Sequence, residues 1–304
     1  MTIKKFSALC SAVVLALASL FTLALVGKAQ AVGTTLYWCE FSSNGSFNTA
    51  SNWNTNSSCS GGTQEVPVSG DVLVFNNTNM NSALNITDNI SGLDLASITF
   101  TGSGTGAYNL SGDDFSLDGG ITDAITGNLN EVISNNVTLT ANQSFTNQSG
   151  DNLFISGTLN IGSANLTLAT KASAMTFDST VSGTGTITMS SPPGGTQTAL
   201  YNFTEADTGL SGPIVVDSGA IAEDSSNTFN GLGSGSITVN NGGALLISST
   251  ATTGTLANTL NLAGSGVSGT RYAAITSCLD NGSGCTGANT TLTLSGKATF
   301  SATL

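Results

Sequence analysis

Chemistry on a polypeptide needs side chains that shuttle protons, attack carbonyls or hold metals, and this 304-residue sequence has few of them. It contains no histidine, so a Ser-His-Asp triad, a histidine general acid and histidine-ligated metal sites have nothing to build on. Arg271, in Gly269-Thr270-Arg271-Tyr272, has no acidic cluster beside it to form a lyase-type site of a basic catalyst next to calcium. A glycosidase needs only two carboxylates. The adjacent aspartates Asp113 and Asp114 offer such a pair, but after Ser111-Gly112 they read as a solvated turn. Asp113 to Asp118 and Asp280 to Gly284 lack the dense alternating carboxylates of an EF-hand or a nonapeptide calcium coil. The expectation is a chain with no catalytic, cofactor-binding or metal-binding residues.

Four of the five cysteines fall into two local pairs, Cys39 with Cys59 and Cys278 with Cys285. In an oxidising compartment an even count reads as two disulfides. Zinc is the competing reading, and the spacing lacks the CxxC pairs that zinc sites use. The first bridge closes a loop holding Trp53, and a loop of that length contributes roughly 3 kcal/mol through chain entropy.

The oxidising compartment follows from the amino terminus. Lys4 and Lys5 precede an uncharged apolar run from Phe6 to Val26, and Ala29-Gln30-Ala31 is a small-residue cleavage site, so residues 1–31 read as a signal peptide. The alternative is an uncleaved anchor, because the run is long enough to span a bilayer. Cys10 lies before most of the run, where a lipid-attaching peptidase would not expose it. Past the signal only Lys171, Arg271 and Lys297 stand against 18 acidic residues. Nucleic acid and anionic membranes need clustered Lys and Arg, so neither is an expected partner once the signal is removed. The acidity itself reads as solubility of an exported protein.

The remaining sequence is built from short clusters of one form, apolar-Thr-apolar. These are Ile98-Thr99-Phe100, Val137-Thr138-Leu139, Leu166-Thr167-Leu168, Met175-Thr176-Phe177, Ile187-Thr188-Met189, Ile237-Thr238-Val239 and Leu292-Thr293-Leu294. Each reads as a short strand with its outer residues facing inward and its threonine facing water. The 37 glycines mark turns between them, and Ser156-Gly157-Thr158 is echoed 26 residues on by Ser182-Gly183-Thr184. A period in the twenties is one coil of a solenoid, whose units bury their apolar faces only by stacking. An array of immunoglobulin-like sandwiches is the alternative.

At this point the chain resembles the autotransporter-type passenger proteins with their passenger-associated β-strand repeats. The resemblance is carried by Leu232-Gly233-Ser234-Gly235, the strand around Thr238, and Asn241-Gly242-Gly243. Tyr201-Asn202-Phe203 and Gly212-Pro213-Ile214-Val215-Val216-Asp217-Ser218-Gly219 resemble the preceding half-repeat. Near the head, Trp38, Gly45-Ser46-Phe47, Asn52-Trp53, Pro67, Gly70-Asp71 and Phe75 resemble the segment that often precedes such repeats, with Phe47 in place of a tryptophan. The resemblance implies an all-β, right-handed parallel β-helix: a disulfide-stapled cap over 32–75, and repeats over 76–304 that stop inside a repeat. It implies a secreted or cell-surface, adhesin-like structural role with a protein or glycan as the surface ligand. A carbohydrate-active β-helix that binds or cleaves polysaccharide is the second functional class.

Peptide mapping of exported protein under non-reducing conditions is expected to recover Cys39 linked to Cys59 and Cys278 linked to Cys285; crossed pairs or free thiols would refute two local bridges.

Overall fold

The computed structural model describes residues 33–301 except 42, 44, 128, 172, 192–197, 227, 250–252, 265, 269–272 and 280–290. The signal segment 1–31, Arg271, Cys285 and the Cys278 side chain therefore lie outside the described residues. Among the described residues the fold is all-β, with a single 3-10 turn at Ala50–Asn52. The strands form a parallel β-solenoid. A 12-stranded sheet runs from Trp53–Asn54 and Thr35–Trp38 through Ile121–Ile125 and Ile187–Ser190 to Ala298–Ser301. A 10-stranded sheet runs from Gly45–Ser46 to Ile275–Leu279, and a 5-stranded sheet from Leu93–Leu95 to Val181–Ser182. Neighbours within each sheet are never consecutive in the parallel stack, because the chain visits the other sheets before returning.

The period of two explains the inside of the coil. Ile98 lies beside Ile121, then Phe145, Leu168, Met189, Val216, Val239 and Leu262, each step advancing the chain by 21 to 27 residues. All eight are buried. Full burial of each such side chain contributes about 1.5–3 kcal/mol. The middle threonines take the opposite face: Thr138 and Thr167 are exposed and Thr188 and Thr238 half-buried. Two triplets depart from this pattern. Thr176 is buried, on a sheet whose outer face carries a second apolar cluster of Ile221, Ala244, Leu246 and Val267. Leu294 is 38% exposed, in a sheet of two strands with no further coil over it among the described residues. Phe300 occupies the inward ladder after Leu262, yet it is 69% exposed because no described strand stacks on it.

At the other end the core is closed by aromatics. Strand Thr35–Trp38 pairs in parallel with Val72–Asn76 and antiparallel with Trp53–Asn54, the one antiparallel pairing among the described strands. Trp53 packs edge-on against Trp38 at 5.0 Å, Phe47 at 5.2 Å and Phe75 at 5.5 Å. Each such contact adds about 0.5–1.5 kcal/mol beyond area burial. The buried Trp53 indole N–H donates to the Phe47 carbonyl at 3.0 Å. The Cys39–Cys59 disulfide forms as expected and fastens this loop.

Coil corners bring backbones too close for side chains. A Cβ on Gly212 would sit 1.8 Å from the Gly185 carbonyl oxygen, and one on Gly235 would sit 1.9 Å from that of Gly212. The recurring Ser-Gly pairs thus mark places where successive coils touch through the main chain. Buried asparagines tie other corners: the Asn258 amide donates to the carbonyls of Gly233 and Gly235 at 3.2 and 2.7 Å, and Asn77 donates to that of Gly106 at 3.0 Å.

The alternation gives a paired test. Ile187→Asp places an unpaired charge in the ladder and should lower unfolding free energy by about 3–5 kcal/mol, whereas Thr188→Asp should stay within about 1 kcal/mol. Equal losses in urea denaturation would overturn the inward and outward assignment.

Candidate functional site

Asp113 and Asp114 lie where the chain leaves strand Tyr108–Gly112 for strand Phe115–Leu117. Gly112 takes φ of 111°, a left-handed conformation open to glycine, and turns the chain there. The Asp113 N–H donates to the Asp88 carbonyl at 2.8 Å, the Asn135 amide donates to the Asp113 carbonyl at 2.8 Å, and the Asn136 amide donates to Asp114 Oδ1 at 2.9 Å. Both carboxylates are exposed, as the reading of a solvated turn expects. They border a shallow depression of about 460 Å³ whose other walls include Ser91, Leu93, Ser116 and Thr138. A general acid is normally withdrawn from water, and neither aspartate is.

No set of three acids, cysteines or histidines among the described residues is placed to hold a metal ion. No helix among them is long and apolar enough to cross a membrane.

A second regular feature is the outer face of the 12-stranded sheet. Thr99, Thr122 and Thr146 stand side by side on adjacent strands, and beside them run Ser144, Thr167, Thr188, Val215 and Thr238. Asp123 is the one charged residue in the strands of this sheet, and it points inward. Over these strands the face is an uncharged array rich in Thr and Ser, with strands about 4.8 Å apart, and the same row continues through Val74 to Tyr37.

Several acids have a role that the sequence reading did not assign. Asp71, Asp207 and Asp224 are buried, and they hold turns. Asp71 accepts from the Thr34 N–H at 2.7 Å and the Val68 N–H at 2.8 Å. Asp207 accepts from the Val181 N–H at 2.7 Å. Asp224 accepts from the Ser226 N–H at 3.0 Å, the Ser226 hydroxyl at 2.6 Å and the Gly231 N–H at 3.0 Å. Burial pushes Asp207 up to about 8, with the charges of Asp224 and Glu205 adding to it, and burial also raises Asp224 against the hydrogen bonds it accepts. Solubility therefore accounts for only part of the acidity. Glu223-Asp224 is a second adjacent acid pair, split by the pleat so that Asp224 faces inward and Glu223 outward. The signal was present in its alternation with the apolar Ala220 and Ala222.

No family model, curated protein or solved structure matches the chain. The passenger resemblance therefore rests on the residues quoted for it, and the geometry alone carries the fold.

Differential scanning calorimetry with and without millimolar calcium tests the depression. The expected thermal midpoint is the same in both, for the protein and for D113N/D114N; a calcium-dependent rise removed by those substitutions would make the turn a cation site.

Proposed function

We propose that the chain is an exported, non-catalytic β-solenoid of the passenger type, displayed on or released from the cell surface, that makes contacts through an extended face. The observation that carries this reading is the uncharged outer face of the 12-stranded sheet, rich in Thr and Ser on one strand after another. Such a face suits a flat protein or glycan ligand bound by many weak, similar contacts. The Cys39–Cys59 bridge supports an oxidising, exported setting, as does the signal-like amino terminus.

A carbohydrate-active role is the second reading, favoured by the two carboxylates at the rim of the 460 Å³ depression. Incubation with neutral and uronic-acid polysaccharides at pH 5 to 9, with and without calcium, separates the two. The expected outcome is no released product. Product formation that is lost in D113N/D114N or on replacing Arg271 would establish the catalytic reading instead.

A further inference from the structure

Three acids come together at the corner between the 12-stranded and 10-stranded sheets. Asp123 is an inward residue of Ile121–Ile125, Glu131 opens Glu131–Ile133 of the same coil, and Asp151 precedes Leu153–Ile155 of the next. Each lies close enough to the other two to feel their charge. Asp123 and Glu131 are both 0% exposed. Glu131 Oε2 accepts from the Tyr108 N–H at 2.6 Å, and Asp123 Oδ1 accepts from the Ile125 N–H at 3.1 Å. Asp123 Oδ2, Glu131 Oε1 and Asp151 Oδ2 are buried with no hydrogen-bond partner.

The surroundings supply no positive charge. In the coil before, Phe100 lies beside Asp123, and the Tyr108 phenol donates away from the acids to the Asn76 carbonyl at 2.9 Å. In the coil after, Asn147 lies beside Asp123 and Leu153 beside Glu131. The Asn147 amide is committed to the Asp151 carbonyl at 2.7 Å and the Ser173 hydroxyl at 3.1 Å. Lys171 and Lys297 are the only basic side chains among the described residues, and both are exposed. Burial disfavours the charged forms of Asp123 and Glu131, and each neighbouring acid adds repulsion to them.

We propose that this corner is a proton-operated latch: the folded solenoid holds Asp123 and Glu131 as neutral carboxylic acids, and ionising them loosens the coil from Ile121 to Ile133.

The direction of the pH dependence follows. Burial, opposed by the Ile125 N–H and reinforced by Asp151, pushes Asp123 from 3.8 up to about 6. Burial, opposed by the Tyr108 N–H and reinforced by Asp123 and Asp151, pushes Glu131 from 4.5 up to about 8. Between these limits the folded chain binds more protons than the unfolded one, so stability falls as pH rises. The contribution is complete below about pH 4 and lost through about pH 6 for Asp123 and about pH 8 for Glu131. Asp88, also raised to about 6, and Asp207 tilt the curve the same way from other coils, so the corner must be separated from them.

Urea midpoints at pH 5, 7 and 9 for the full chain, E131Q and D123N/E131Q, with amide hydrogen-exchange protection of the unsubstituted protein, make that separation. The midpoint is expected to fall from pH 5 to pH 9 in the unsubstituted protein and less steeply in each variant. Protection, corrected for intrinsic exchange, should drop more in Ile121–Ile125 and Glu131–Ile133 than in Ile237–Val239. Identical slopes in protein and variants, or a uniform loss of protection, would overturn the latch. So would calcium restoring the pH 9 midpoint in the unsubstituted protein but not in E131Q, since a cation would then neutralise the corner. The exchange measurement needs no variant, so it decides the matter even if E131Q does not fold.

Discussion

Each coil of this protein is too thin to bury its own apolar side chains, so the fold depends on the coils above and below it. Ile121 has its inward surface covered because Ile98 lies on one side and Phe145 on the other. This nearest-neighbour dependence fixes the register, since sliding one strand by a single residue would turn its whole inward set to water. It also makes the ends special. At the amino-terminal end Trp38, Phe47, Trp53 and Phe75 close the stack with rings, where a further coil would otherwise lie.

The corners carry the second burden of a solenoid, which is to turn the chain without stranding polar groups. Glycine stacks such as Gly185, Gly212 and Gly235 let carbonyls touch where a methyl would collide. Asn77 and Asn258 spend their amides on neighbouring carbonyls, and Asp71 and Asp224 collect backbone N–H groups. Because these devices act locally, one coil can take 21 residues and another 27 while the inward ladder stays in register. The acids at the corners are the expensive choice. An asparagine does similar work without a charge, so carboxyl groups in the dry interior make stability depend on pH in a way the asparagine corners do not.

This division separates the outside from the inside chemically. The outer face of the 12-stranded sheet is rich in Thr and Ser and carries no charged side chain among the described residues of its strands. The carboxyl groups that burial pushes up sit at corners of the coil, among them Asp88, which feels the charge of Asp113 at the rim of the depression. Perturbed acids often mark active sites; here Asp224 is bonded to an N–H group of its own coil, and Asp207 and Glu131 to N–H groups of the coil before, so they tie the chain together.

The strands named from the apolar-Thr-apolar triplets, and the facing of most of them, were legible in the sequence. The alternation in Leu166-Thr167-Leu168 puts both leucines on one face, and a repeat in the twenties favoured stacked coils over an array of sandwiches. The Cys39–Cys59 bridge was legible too, from the even count of cysteines past the signal and their local pairing. The inward position of Asp123, two residues from Ile121 and two from Ile125, was legible in the same alternation. Its meeting with Glu131 and Asp151 was not, and neither was the burial of Thr176. Those depend on how each coil turns its corners. Side-chain alternation sets the face of a residue along its strand, while the path of the loops sets its neighbours in space.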